Sequence, residues 1–370
     1  MKINYISNVS KDEISGGWSG LNNQLFSRLS SFYDLNYIGP FNIPIIKREW
    51  YLSKFLRLLR LKGKYFNYSE LRLSKFAEQL SSQLHNSDAT IFFGSTPWVK
   101  TNTIANYYII TDISFMGYYK YYNKPEFNKR DIERIVEQEK TFMQNAKYVF
   151  FTSEWAKQET CKFYNINGAN FINIGIGGNT VGKLTLQSEK ELSFIYISQD
   201  FSKKGGDLLF DAFKSFYLKH KGSKLRIIGG LPPQDVIDHP GVDYIGSINK
   251  SIPEENRTYI KLISESSALI LPTKSDAAPL TIIECAYFGT PTVAPARFAI
   301  PEMIVHEETG YLLNAKFESS DIYDFMIKLN ELSLDARNSF RKNTYDFVQK
   351  NNNWEVIINK IVSKINEFNS

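Results

Sequence analysis

Cysteine is scarce in this sequence. Cys161 and Cys285 are the whole supply in 370 residues, and two thiols so far apart build no disulfide framework. Each falls in a segment with helical spacing, where cysteine behaves as a small apolar residue. A reducing cytoplasm is the expected compartment. Histidine is almost as rare: His85, His220, His239 and His306 show no metal-ligand spacing with one another or with the cysteines, so no metal site is expected. No window approaches 18 uncharged apolar residues, the length a membrane span requires. The opening MKINYISNVS lacks the apolar core and small-residue cleavage site of a signal peptide, and none is expected. Charge of one sign is also lacking. A net +5 suits a phosphorylated ligand or an anionic membrane surface, and is too small to point to nucleic acid. There is no internal repeat, no low-complexity tract and no Asp-x-Asp motif. No Gly-x-Gly-x-x-Gly follows any predicted strand, which excludes the dinucleotide fingerprint.

What is present is an alternation. The chain is too long for one ordinary core and suits two domains, and its 43% apolar content supports globular folding. KINYIS, ATIFFG, NYYIIT and YVFFTS read as buried strands, separated by segments such as LNNQLFSRLSSFY with apolar residues at helical spacing. Ser153 is placed to cap the helix that follows YVFFTS. The pattern restarts near residue 191 with LSFIYIS, KLRIIGG, VDYIG, SALILP and PTVAP. Strands alternating with helices imply parallel sheets covered on both faces. The polar stretch NTVGKLTLQSEKE reads as the interdomain linker. The predicted organisation is therefore a domain over 1–180, a second over 191–350, and a C-terminal amphipathic helix in 351–370. Ligands of such sheets bind at the carboxyl ends of the strands, which makes the cleft between domains the expected site.

Three loops at predicted strand ends carry chemistry. SGGWSG, Ser15 to Gly20, is either an ordinary glycine turn or a place where backbone N–H groups approach an anion. In QDFSKKGGDLL, Lys203 and Lys204 precede Gly205 and Gly206 at a helix start. That arrangement is either a solvated turn or an electropositive pocket for a diphosphate. In SDAAPLTIIECAYFG, Pro279 suits the first turn of a helix. Asp276 then falls in the loop, Glu284 nearly two turns into the helix, and the N–H groups of Leu280 and Thr281 between them. The two acids either serve two parts of one ligand or are an unrelated loop acid and helix acid.

Taken together, these motifs resemble the GT-B glycosyltransferases of the GT4 type, and the resemblance covers nearly the whole chain. GGWSG is similar to that family's N-terminal glycine loop, SKKGGDLLFDAF to its Lys-Gly signature, and NIGIGGN to the turn closing its first domain. DAAPLTIIE resembles its acid-x7-acid motif, and CAYFGTPTVAP and EETGYLL follow as they do there. The fold so implied is α/β, two Rossmann-like doubly wound domains facing across a cleft, with the last helix packing back on the first domain. The resemblance further implies a retaining hexosyl transfer from a nucleoside-diphosphate sugar, UDP- or GDP-linked, to a saccharide or lipid-linked saccharide, in surface polysaccharide assembly.

By the same resemblance, Lys203, Lys204 and the Gly205 turn would hold the donor diphosphate, helped by the backbone of Gly16 and Gly17. Glu284 would meet the ribose, Asp276 the transferred sugar, and Pro279, Leu280 and Thr281 the ligand between them. No cofactor or metal is implied. The chain departs from the family at two places. Asp276 stands where Glu is usual, and Thr111 stands where His often precedes the acid that matches Asp112. Asp112 is then either a residue near the reacting centre or a turn cap. A catalytically silent GT-B protein that binds glycans is the alternative, and a sugar-nucleotide epimerase a more distant one. The aromatics Phe115, Tyr118, Tyr119, Tyr121 and Tyr122 either stack on an acceptor sugar or pack. Finally, KREWYLSKFLRLLRLKGKYF, residues 47–66, mixes seven cations with aromatics and leucines. It reads either as a basic helix lying on an anionic membrane or as a solvated helix packed on the sheet.

Overall fold

A computed structural model of the chain describes residues 1–14, 16–101, 104–122, 127–188 and 191–367. Ser15 of the glycine loop, residues 189 and 190 of the polar stretch, and 368–370 lie outside the described residues. The chain divides into two compact units: Met1–Gly175 together with Ile357–Ser370, and Ile176–Val356.

The first unit contains β1 (Lys2–Ile6), α1 (Gly17–Leu29), β2 (Asp34–Ile38), α2 (Lys47–Leu58), α3 (Glu70–Ser81), β3 (Ala89–Phe93), β4 (Tyr107–Thr111), α4 (Phe115–Tyr122), α5 (Lys129–Asn145), β5 (Tyr148–Phe151), α6 (Glu154–Tyr164) and β6 (Phe171–Asn173). Its six strands are all parallel in the order β2-β1-β3-β4-β5-β6. Every residue of the central strands β3 (ATIFF) and β4 (YYIIT) is buried, as a parallel sheet covered on both faces requires. Ser153 accepts from the Ala156 N–H at 3.1 Å, the expected cap of α6, and Asn165 closes that helix in the left-handed conformation. The helix predicted over 47–66 stops at Leu58.

The second unit contains β7 (Ser193–Ser198), α7 (Gly206–Lys219), β8 (Lys224–Gly229), α8 (Gln234–Ile237), β9 (Val242–Gly246), α9 (Pro253–Glu265), β10 (Ala268–Ile270), α10 (Leu280–Ala286), β11 (Thr292–Pro295), β12 (Gly310–Leu313), α11 (Ser319–Glu331) and α12 (Leu334–Asn351). Its parallel sheet runs β12-β11-β10-β7-β8-β9. In both sheets the order reverses once, between β1 and β3 in the first and between β7 and β10 in the second. Such a reversal splays the loops on either side of it and leaves a crevice at the carboxyl edge.

The polar stretch differs from expectation. Residues 181–188 have no regular structure, yet they are tied to the second unit rather than spanning as a linker. The Thr185 N–H donates to the Phe288 carbonyl at 3.1 Å, and the Gln187 N–H donates to Asn338 Oδ1 at 2.8 Å. Buried Arg341 also donates to the Thr185 carbonyl at 2.7 Å. At the other end, α13 (Trp354–Asn366) begins in the second unit and finishes in the first. Tyr33 donates to Asn366 Oδ1 at 3.0 Å, and Lys360 to the Ile174 carbonyl at 3.4 Å.

Candidate functional site

The reversal point of the second sheet gathers most of the residues singled out above. After β7 the chain turns through Asp200–Lys204 and enters α7 at Gly205, whose φ of 84° favours glycine. Space demands glycine as well. A Cβ on Gly205 would stand 2.1 Å from the Pro272 carbonyl oxygen just beyond β10. The Gly-Gly of the Lys-Gly motif therefore lets the β7 and β10 loops touch.

That contact decides what the two lysines do. Lys204 donates to Asp276 Oδ2 at 2.7 Å and to the Ser275 carbonyl at 3.3 Å, and both charged side chains remain about one quarter to one third open, at 26% and 30%. Lys203 points elsewhere. Its side chain is 80% exposed and pairs with Asp200 at 2.6 Å. The ammonium holds the Asp200 carboxyl below its ordinary range, while Asp200 raises the lysine. The structure thus joins Lys204 to Asp276, residues 72 apart in sequence, and separates Lys203 from that pair.

Pro279 occupies the N-cap of α10 with no side-chain cap, and Leu280 and Thr281 form the first turn at half-buried positions. Glu284 lies deeper, 1% exposed. Lys250, in the loop after β9, reaches both its oxygens at 2.7 and 3.0 Å, and the Tyr259 hydroxyl donates to Oε2 at 2.6 Å. Burial, then the adjacent carboxylate, pushes the Tyr259 phenol well above its ordinary value, so it remains a donor. Neither Lys250 nor Tyr259 stood out in the sequence, because a lone lysine and one of 22 tyrosines carry no motif. Gly178, from the glycine turn NIGIGGN, passes close by: a Cβ there would meet Glu284 Cγ at 3.1 Å. Trp354 Nε1 donates to the Gly178 carbonyl at 2.9 Å and holds that turn in place.

The first unit has its own crevice, a cavity of about 350 Å³ at the ends of β1, β3 and β4. Asn8, Trp18, Tyr68, Gly94, Asp112 and Tyr118 are among its lining residues. Gly16, with φ 87°, caps α1, and Gly17 opens it. Trp18 follows and stacks on Phe93 with ring centroids 4.0 Å apart. Asp112 keeps an exposed surface. Desolvation by surrounding protein nonetheless pushes its carboxyl up to about 6, against the opposing pull of backbone N–H groups at Asp112 and Ile113. Thr111, where the family often has histidine, is buried and donates to the Ile113 carbonyl at 3.0 Å. It shapes the turn that presents Asp112. The aromatic run divides in two. Phe115 is buried with Tyr65, Ile132 and Ile135, and Tyr119 packs against that group. Tyr118 and Tyr122 stack on each other, 5.5 Å apart, with exposed faces.

Beneath this cavity sits Glu139, fully buried on α5. It accepts from Ser95 and Thr96 at 2.6 Å each, from the Phe115 N–H at 2.7 Å, and from the Tyr164 hydroxyl. One carboxylate thereby ties together the β3 and β4 loops that carry the cavity wall. It was missed because a glutamate inside an amphipathic helix reads as solvent-facing.

Residues 183–347, all within the second unit, match the model of a family described as glycosyl transferases group 1. A curated relative, an uncharacterized glycosyltransferase of Haemophilus influenzae, is 26% identical over 184 residues, covering 48% of this chain and 51% of that protein. The chain therefore spans about half the length of the curated relative it matches. Among solved structures, sucrose-phosphate synthase from Thermosynechococcus elongatus superposes with a TM-score of 0.71 at 16% identity, covering 100% of this chain and 99% of that one. WaaG, a glycosyltransferase involved in lipopolysaccharide biosynthesis, gives 0.66 at 13%, with coverages of 98% and 99%. Anabaena HepE in complex with UDP gives 0.65 at 12%, with 99% and 100%. At such identities these likenesses establish the fold, which is GT-B.

Proposed function

We propose that this chain is a retaining glycosyltransferase of the GT4 type that moves a hexose from a UDP- or GDP-linked donor to a saccharide or lipid-linked saccharide acceptor, in surface polysaccharide assembly. The observation that carries the reading is the Lys204–Asp276 pair at the reversal point of the second sheet, on the same edge as Glu284. A donor sugar needs hydroxyl acceptors, its diphosphate needs cations, and its ribose needs a fixed carboxylate. Asp276, Lys204 and Glu284 are assigned to these in turn.

When the glycosidic bond to phosphate breaks, negative charge grows on the leaving diphosphate. Lys204 is set to stabilise it, at the positive end of α7, with Lys203 as an exposed outer cation. No metal is assigned a role. Asp276 is both a partner of Lys204 and an acceptor for sugar hydroxyls, so it holds the lysine in position before the donor arrives. A carboxylate has about four lone-pair sites, and Lys250 and Tyr259 already make three contacts with Glu284. A ribose hydroxyl takes the open site, and a second one displaces or shares Lys250. The acceptor is assigned to the first unit's cavity, with Asp112 at its polar wall and Trp18 and Tyr118 as apolar surface for a sugar ring.

The test is a panel of UDP-, GDP- and ADP-sugars read by thermal shift, with nucleotide release measured in parallel. One donor should stabilise the protein by mass action and release its nucleotide slowly without acceptor. Lys204→Ala should slow that release by roughly ten- to a hundredfold, the value of about 1.5–3 kcal/mol for a hydrogen bond to a charged group. Release unchanged in this variant would remove the diphosphate role. Binding without release from any donor would leave a silent sugar-nucleotide binder.

A further inference from the structure

In the segment 47–64 the inward and outward faces are the reverse of those of a helix resting on a sheet. α2 turns Ser53 inward, fully buried, with Glu49, Trp50 and Leu56 half-buried beside it. Ser53 Oγ donates to the Lys64 carbonyl at 3.0 Å, and a Cβ on Gly63 would stand 2.2 Å from that Oγ. The small inward residue therefore lets the returning chain lie directly under the helix.

On the far side, Tyr51, Leu52, Phe55, Leu58 and Leu59 follow the spacing i, i+1, i+4, i+7 and i+8, which is one face. All five are exposed, Leu58 at 81%, and exposed Leu61 extends the face past the helix end. Lys47, Arg48, Lys54, Arg57, Arg60 and Lys62 flank it, all exposed. Glu49, the one acid in the segment, is not among the exposed residues. A contiguous apolar surface of this kind marks an interaction site.

Charge decides what covers it. A second copy of the same face would bring its cations against these. A nucleic-acid backbone would engage the cations and leave the large apolar side chains in water. An anionic bilayer satisfies both, because the leucines and aromatics enter the headgroup–acyl boundary while the flanking cations meet lipid phosphates. We infer that the outer face of α2 and its C-terminal turn, Tyr51 to Lys62, is a docking surface for an anionic lipid bilayer. This inference stands independently of the donor chemistry.

Flotation of the full chain with vesicles tests it. Vesicles of phosphatidylcholine mixed with phosphatidylglycerol should carry the protein at low salt and release it at high salt, whereas phosphatidylcholine alone should carry far less. The double variant Phe55→Ser/Leu58→Ser should lose more than about tenfold in retention. Lys54→Glu/Arg57→Glu should lose a similar amount, at about fivefold for each basic residue removed. The apolar double variant should keep the wild-type melting temperature, since its replaced side chains are exposed, and Leu58→Ser alone should move retention in the same direction. The charge variant also removes the Lys54 ammonium from the Trp50 ring 3.7 Å away, so its retention is read at a temperature where it is fully folded. No retention on anionic vesicles at low salt would overturn the proposal, as would full retention by both double variants. Concentration-dependent self-association abolished by Phe55→Ser/Leu58→Ser, without vesicle binding, would assign the face to a second copy instead.

Discussion

Among the described residues, each unit hides one glutamate beneath its carboxyl edge, and the two are solved differently. Glu139 is 0% exposed and Glu284 1%, so burial does not distinguish them. Their partners do. Around Glu139 stand three hydroxyls and a backbone N–H, all held by its own unit, and the carboxylate is saturated by rigid neutral donors. Glu284 faces a tyrosine and a lysine whose side chain is still 20% open to solvent. One of its donors can therefore move away and be rehydrated. A buried carboxylate with only fixed donors is a structural tie, whereas one with a movable cation is a place for a ligand.

The largest effect should come from breaking the tie. Glu139→Ala strands three hydroxyls and an N–H in the interior. It should destabilise the first unit by at least about 3 kcal/mol, a fall of roughly 6–12 °C in melting temperature. Donor affinity of the remaining folded protein should not change. Loss of donor binding at full stability would invert the comparison.

Glu284→Gln should do the reverse. Its melting temperature should fall by less than in Glu139→Ala, because Lys250 can turn to water. Donor Kd by titration should weaken about tenfold, the loss of one hydrogen bond to a charged group. The two lysines sharpen the same point on a smaller scale. Lys203→Ala removes an 80% exposed side chain engaged with Asp200 and should slow nucleotide release by no more than about threefold, well short of Lys204→Ala. Equal effects from both lysines would show that the pairing with Asp276 does not position the cation.

The smallest expected effect is a pH profile. The Asp112 carboxyl is raised from 3.8 to about 6, so its protonated form favours the folded state. That contribution is complete below the unfolded value and is lost as pH rises through the folded one. The melting temperature of wild type relative to Asp112→Asn should therefore fall between about pH 4 and 6 and level off above. Because Asp112 is exposed, the fall should be small. A flat difference across that range would show that the carboxyl titrates normally.

Much of this was legible in the sequence. Apolar runs such as ATIFF and YYIIT admit only buried parallel strands, and Ser153 ahead of EWAKQETCKFY sets a helix start by local hydrogen bonding alone. Lys204, Gly205 and Asp276 were also found from motifs, since each sits within a few residues of a strand end. Other features were not legible. The pairing of Glu284 with Lys250 joins positions 34 apart, and nothing local to either announces it. Glu139 occupies a polar slot in an otherwise amphipathic helix, and only the loops packed above it reveal four donors. The basic stretch reads as one helix over 47–66, but the structure ends it at Leu58 and turns Leu52, Leu58 and Leu59 outward.

What the sequence determined by itself is therefore the alternation of strand and helix, the turns at the strand ends and the chemical types available there. These depend on contacts within a few residues, where spacing and propensity act directly. Only the tertiary structure decided which lysine meets Asp276, which donors surround each buried glutamate, and which face of α2 looks out. Those outcomes are set by distances between elements far apart in the chain. A single close approach, such as Gly205 against the Pro272 carbonyl or Gly63 against Ser53, selects among side-chain arrangements that the sequence leaves equally open.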